Sequence, residues 1–192
     1  MKAAGTIQFL PLAGFTNQGP FHFVGRPRPV DMMSMESDVS TVSRGYFAAI
    51  GMELLRGRAL GRADHLESPR VALVNQAFVN RYSRDEDPLG RMILGDWSNP
   101  KPTEIIGVVA DIRHNGLTAE PRPTVFLCQS QHPGYITYLV VRTAADPAAL
   151  AAAVAGHEVD YEVGLPGEGA ETEVFFSDLS HDYVTINAEY TT

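Results

Sequence analysis

Apolar and β-branched residues recur along this chain in short runs broken by Gly, Pro, Asn and Asp, a pattern that predicts many strands and few helices. Residues 5–10 predict a first strand stopped by Pro11, followed by a loop over 11–19. Residues 21–24 and 37–42 predict two more, the second from its alternation of polar and β-branched positions. Ser43 stands in an N-cap position ahead of a helix over 44–50, which Gly51 would end in the left-handed conformation. The run 71–74 predicts a strand, and Asn75 is placed to cap a helix over 76–82 with Phe78 and Tyr82 on one face. Residues 85–90 read as a turn that leads into a strand. Residues 103–112 form a continuous apolar run suited to a strand buried on both faces. Strands are also predicted over 124–127 and 135–142. Asp146 and Pro147 then open an alanine-rich helix that runs to about residue 155. The irregular spacing favours an α+β (mixed α/β) domain over an all-β sandwich or a regular doubly wound sheet.

Charge changes the picture at one place. The chain has 192 residues and a formal net charge of −8. Residues 1–142 hold 15 basic and 13 acidic side chains, whereas 143–192 hold 10 acidic ones and neither Lys nor Arg. The acidic end reads either as a solvated tail or as a segment of separate origin. With Lys2 and Lys101 the only lysines, nucleic acid is excluded as an expected partner. No run of ~18 apolar residues predicts a membrane-spanning segment. A lone Cys128 supports no disulfide framework and no CxxC site.

Candidate chemistry is sparse. His22, His65, His114, His132, His157 and His181 show no HxH or HExxH spacing, so no metal site is expected. Asp64 beside His65, and Asp111 near His114, are carboxylate–imidazole neighbours without a nucleophile in a matching turn. Asp85, Glu86 and Asp87 lack the alternating oxygens of a calcium loop and suit a turn before Pro88 better. Phosphate-cradling glycine motifs and the GxSxG elbow are missing from the sequence. Cys128 ends an apolar strand and reads as a buried structural thiol. Phe15 and Phe21 mark an aromatic loop that would suit a contact site, against which Phe21 and Phe23 read better as core. The expectation is a non-enzymatic scaffold with no catalytic residues, no cofactor and no metal.

Five blocks carry a resemblance. Val42-Ser43-Arg44-Gly45-Tyr46-Phe47, followed by Gly51 and Leu54-Leu55-Arg56-Gly57-Arg58, is similar to a block of the MacB-like periplasmic core domain of bacterial ABC transporter permeases. Residues 71–78 with Arg81-Tyr82 and Asp87-Pro88-Leu89-Gly90-Arg91 resemble its next block. Residues 104–114 through Glu120-Pro121-Arg122-Pro123, then Val140-Val141-Arg142-Thr143 with Asp146-Pro147, and Leu10-Pro11-Leu12 near the start, complete the set. The resemblance spans about residues 1–155. It implies an extracytoplasmic (periplasmic) module set between membrane helices, moved by a cytoplasmic ATPase and passing motion to substrates or to periplasmic partner proteins. It also implies a domain entered after its leading strand and helix, hence N-terminally incomplete, with an open sheet edge.

Residues 156–192 do not continue that family and form the second expected unit. Residues 158–163 and 173–176 alternate around 165–169 as a hairpin. The stretch 177–192 resembles the C-terminal end of the glutamate N-acetyltransferase/ornithine acetyltransferase family. Asn187 and Thr192 match that family's terminal substrate-holding Asn and Thr. The alternative this implies is a fragment of an arginine-biosynthesis acetyltransferase that contributes only substrate-binding residues. The threonine nucleophile and oxyanion hole required by such an enzyme have no counterpart in residues 1–155, so no acetyl transfer is expected.

Overall fold

The apolar runs of the sequence become strands of one sheet in a computed structural model of the chain. It describes residues 2–13, 16–27, 35–97, 101–112, 119–132 and 137–142, with the backbone of 174–176 and 184–186. The strands are β1 (Ala3–Ile7), β2 (Asn17–Phe23), β3 (Glu36–Val42), β4 (Leu54–Gly57), β5 (Val71–Asn75), β6 (Met92–Gly95), β7 (Thr103–Val109), β8 (Thr124–Cys128) and β9 (Tyr138–Arg142). Two short helices, α1 (Tyr46–Ile50) and α2 (Gln76–Tyr82), lie among them. A separate antiparallel pair, β10 (Val174–Phe176) and β11 (Val184–Ile186), lies in the acidic end.

Six of these strands close on themselves. β2 pairs with β6, β6 with β7, β7 with β5, β5 with β8 and β8 with β3, and β3 returns to β2. The closure depends on β2 changing partner halfway along its length. Asn17 to Pro20 pair with β3, whereas Phe21 to Phe23 pair with β6. Pro20 sits at this changeover, and its carbonyl accepts the Asp96 N–H. The pairs β3–β8 and β5–β7 are parallel; the others in the circuit are antiparallel.

Alternation along each strand assigns the two faces. Phe21, Phe23, Val39, Ala72, Val74, Ile93, Ile105, Val108, Val125 and Leu127 point inward, and Phe78 and Val79 of α2 enter with them. Such a narrow barrel is filled by side chains of mixed size. Phe78 stacks on Phe21 with ring centres 5.0 Å apart and meets Tyr82 edge-on at 5.2 Å. Trp97 folds back beneath Gly19 and Gly95, where a side chain on either glycine would collide with the indole. A second cluster covers the outer face of β3, β5, β7 and β8 with Tyr46, Phe47 and Leu60. Each such buried side chain contributes about 2 kcal/mol of apolar burial.

Several boundaries differ from the sequence expectation for identifiable reasons. Ser43 does not cap α1: its N–H donates to Thr6 O, and its Oγ accepts the Thr6 N–H at 2.8 Å, so it extends the β1–β3 ladder. The helix starts two residues later, after Gly45, whose close approach to the Ala4 carbonyl leaves no room for a Cβ. Gly51 ends it with φ 72°, as expected, and Arg142 Nε on β9 donates to Ala49 O at 2.9 Å, completing the helix end from outside. Leu54–Gly57 is a strand that the sequence pattern left unassigned. All four of its residues are exposed, and it is held by pairing with β7 and by the Arg56–Asp87 ion pair. The first strand ends at Ile7 rather than at residue 10, the second begins at Asn17, and the strand that opens at Thr103 ends at Val109. The alanine-rich helix expected over 146–155 lies outside the described residues.

Candidate functional site

Asn75 ends β5 and begins α2, and its buried side chain ties three segments together. Its Oδ1 accepts the Phe78 N–H at 3.0 Å and the Thr124 N–H at 2.8 Å, while its Nδ2 donates to Arg122 O at 2.8 Å. Asp111, just past β7, accepts the Ala77 N–H at 2.8 Å. Two otherwise orphaned N–H groups of the first helical turn are thereby satisfied. Asp38 N–H donates to Pro123 O at 2.8 Å, which fixes the segment that launches β8.

Beside α2, Ala77, Asp111 and Pro123 border an open groove of about 820 Å³, lined also by Arg26, Arg81, Ser83, Glu86 and Glu120 among others. Much of its charge is engaged. Glu86 bridges Arg26 and Arg91. Those two guanidinium groups lie 5.1 and 5.2 Å from the ring centre of Phe23, on which both stack. Arg84 Nε donates to Asn80 O at 2.8 Å, and Arg81 lies over the Tyr82 ring. Among the described residues, no imidazole or thiol lines the groove. The buried Ser83 hydroxyl has no hydrogen-bond partner among the described residues, so none of them is placed as a base to activate it.

The other candidate groups are also held in structural contacts. Asp64 forms a two-pronged pair with Arg58 at 2.8 and 2.9 Å and accepts the Gly61 N–H at 2.6 Å. The Arg58 hydrogen bonds hold its carboxyl below the ordinary range despite burial. His65 bonds through its backbone to Ser68 rather than through its ring to Asp64. His132 is buried with Arg70 Nη1 3.1 Å from both ring nitrogens, and burial followed by that cation lowers its pKa to about 4. Cys128 is buried and donates through Sγ to Asp64 O at 3.3 Å, and desolvation raises its pKa. Asp87 Oδ1 accepts the Leu89 N–H at 3.0 Å and pairs with Arg56 at 2.7 Å, which is turn chemistry. Phe21 and Phe23 are core, as expected. Among the described residues no cluster of His, Cys, Asp or Glu is placed to hold a metal. No helix there is long and apolar enough to cross a membrane. Phe15, His114, His157, His181, Asn187 and Thr192 lie outside the described residues.

Sequence reasoning missed the threefold role of Asn75, the pairing of Asp111 with α2 and the burial of Asp38. The available signal was a polar residue between a β-branched run and a helix with Phe at the third following position.

Comparison with known proteins agrees with this architecture. The family model of the MacB-like periplasmic core domain matches residues 13–157. The periplasmic region of MacB from Actinobacillus actinomycetemcomitans is similar in fold, with TM-score 0.53 and 16% identity over 78% of this chain and 62% of that one. The chain thus spans about three-fifths of that region's length. A permease-protein domain from Porphyromonas gingivalis gives TM-score 0.46 at 17% identity, over 79% of this chain and 61% of that one. The extracellular domain of the noncanonic ABC-type transporter YknZ from Gram-positive bacteria gives 0.43 at 12%, over 65% and 72%. No curated protein matches the chain. With its family model matched over most of its length and its strands folded in the same arrangement, the chain belongs to the MacB-like periplasmic core domain family.

Proposed function

We propose that this chain is a non-catalytic extracytoplasmic domain of a bacterial ABC transporter permease, which passes motion driven by a cytoplasmic ATPase to substrates or to periplasmic partner proteins. The observation that carries this reading is the use made of the family blocks. Asn75, Asp111, Arg122, Gly45, Asp87 and Arg58 all fix backbone geometry, and none forms a nucleophile–base pair in the groove. A stiff barrel with engaged polar groups suits a body that moves as a unit. In this reading residues 1–155 are the working domain and 156–192 an appendage.

The test is the permease that carries this domain, reconstituted in proteoliposomes with its ATPase. A spin label at the exposed Asn80 and a second at the membrane boundary should change separation when ATP is added. An unchanged separation, with transport intact after removal of the domain, overturns the reading. The acetyltransferase alternative is checked separately: the chain incubated with acetylornithine and glutamate should yield no acetylglutamate above background.

A further inference from the structure

Asp38 is a buried ionisable group that the contacts above leave unexplained. It lies in β3 between Gln18 of β2 and Thr124 of β8, with its side chain on the outer face of the barrel, since its neighbour Val39 points inward. Only 3% of the residue is exposed, and neither carboxylate oxygen has a hydrogen-bond partner among the described residues. Arg122 Nε stands 3.6 Å from Oδ1, beyond hydrogen-bonding reach, with its side chain 42% exposed. The backbones on both sides are fixed, by Asp38 N–H to Pro123 O and by Asn75 Nδ2 to Arg122 O. Rotation of the Arg122 side chain alone therefore separates this arrangement from a charge-assisted hydrogen bond.

We propose that Asp38 and Arg122 form a latch across the β3–β8 seam, open when the carboxyl is protonated and closed on Arg122 when it is ionised. An ionised carboxylate at this site, without a donor, carries a penalty that either a proton or Arg122 relieves. Burial pushes the carboxyl above its ordinary range, and Arg122 pulls it partly back. The flanking positions Gln18 and Thr124 carry no charge. Glu36, two residues along β3, meets Tyr82 of α2 through its backbone, its carbonyl accepting the Tyr82 hydroxyl at 2.6 Å, and no Coulombic effect of its carboxylate on Asp38 accompanies that of Arg122. Arg122 is thus the charge that acts on Asp38 among the described residues. Glu120, Pro121 and Pro123 of the same segment line the groove beside α2, so the latch sets how firmly that wall is held.

The experiment is an NMR titration of the chain itself from about pH 3 to about pH 8, following the Asp38 side-chain carbon and the Arg122 Nε–H. The two signals should move together with one midpoint above the ordinary carboxylate range, and the Nε–H should become protected on the high-pH side. In Asp38→Asn the Arg122 signal should lose its pH dependence. In Arg122→Gln the Asp38 midpoint should rise further, because the cation is gone. An Arg122 Nε–H that stays indifferent while Asp38 titrates overturns the latch, as does an Asp38 midpoint at or below the usual carboxylate value. Neither the permease nor the ATPase enters this test, so its failure leaves the proposed function untouched.

Discussion

Asp111, beyond the end of β7, accepts the backbone N–H of Ala77 in the first turn of α2 at 2.8 Å, and so joins two family blocks well separated in sequence. Asn75 closes the same turn from the other side, so the seven-residue helix that plugs the barrel starts from two side-chain caps. A helix this short has little intrinsic stability and depends on such caps and on its buried face.

Replacing Asn75 by Ala should therefore cost more than an ordinary cap. Three hydrogen bonds are lost and buried backbone groups are left unpaired, for a loss of about 3 kcal/mol. Urea unfolding followed by circular dichroism measures it. A loss no larger than that of an exposed cap, about 1 kcal/mol, contradicts the threefold role.

Two glycines should behave differently under the same substitution. Gly45→Ala places a methyl group against the Ala4 carbonyl at the α1–β1 contact, which requires backbone displacement and costs about 3 kcal/mol. Gly90→Ala meets nothing nearby but must hold φ 75°, which costs about 1 kcal/mol. Thermal unfolding of both variants ranks them, and a reversed order refutes this account.

His132 predicts an acid-dependent loss of stability. Its folded pKa, about 4, lies below the unfolded value, so the unfolded chain takes up the proton first as pH falls. This contribution is intact above about pH 6.5 and declines toward pH 4, by up to about 3 kcal/mol. Unfolding free energies of wild type and His132→Asn, compared across that interval, isolate it. Parallel curves would show that the histidine does not titrate in this way.

The Arg58–Asp64 pair gives a further acid-side effect. Removing the guanidinium with Arg58→Ala leaves the buried Asp64 carboxylate with the Gly61 N–H as its remaining hydrogen bond, for a cost of about 2 kcal/mol at neutral pH. Because the paired carboxyl is held below its ordinary range, the stability it contributes is present above about pH 4 and fades below that. The difference between wild type and variant should shrink in acid; a constant difference sinks the assignment.

The strands with continuous apolar runs were legible because burial on both faces leaves its mark in composition: 71–75, 103–109 and 124–128 follow the pattern closely. The α2 helix was equally legible, since Asn75 as cap and the pair Phe78 and Tyr82 are local signals. β4 was not, because its four exposed residues are held by a partner distant in sequence. Ser43 misled because a short hydroxyl at a helix entrance serves equally well to extend a ladder, and only the position of Thr6 decides between them. The groove and the Asp38–Arg122 approach were invisible for the same reason, since each joins segments that local patterning cannot bring together.

The closed circuit of strands also bears on how the chain reaches its fold. Asp38 pairs with Thr124 and Phe21 with Gly95, so ring closure joins segments that local hairpins cannot supply. Chains dominated by such distant pairings must lose loop entropy before the contacts repay it, and they refold over milliseconds to seconds rather than microseconds. Until the rungs where β2 hands over from β3 to β6 are in place, the aromatic interior stays open to water and to other chains.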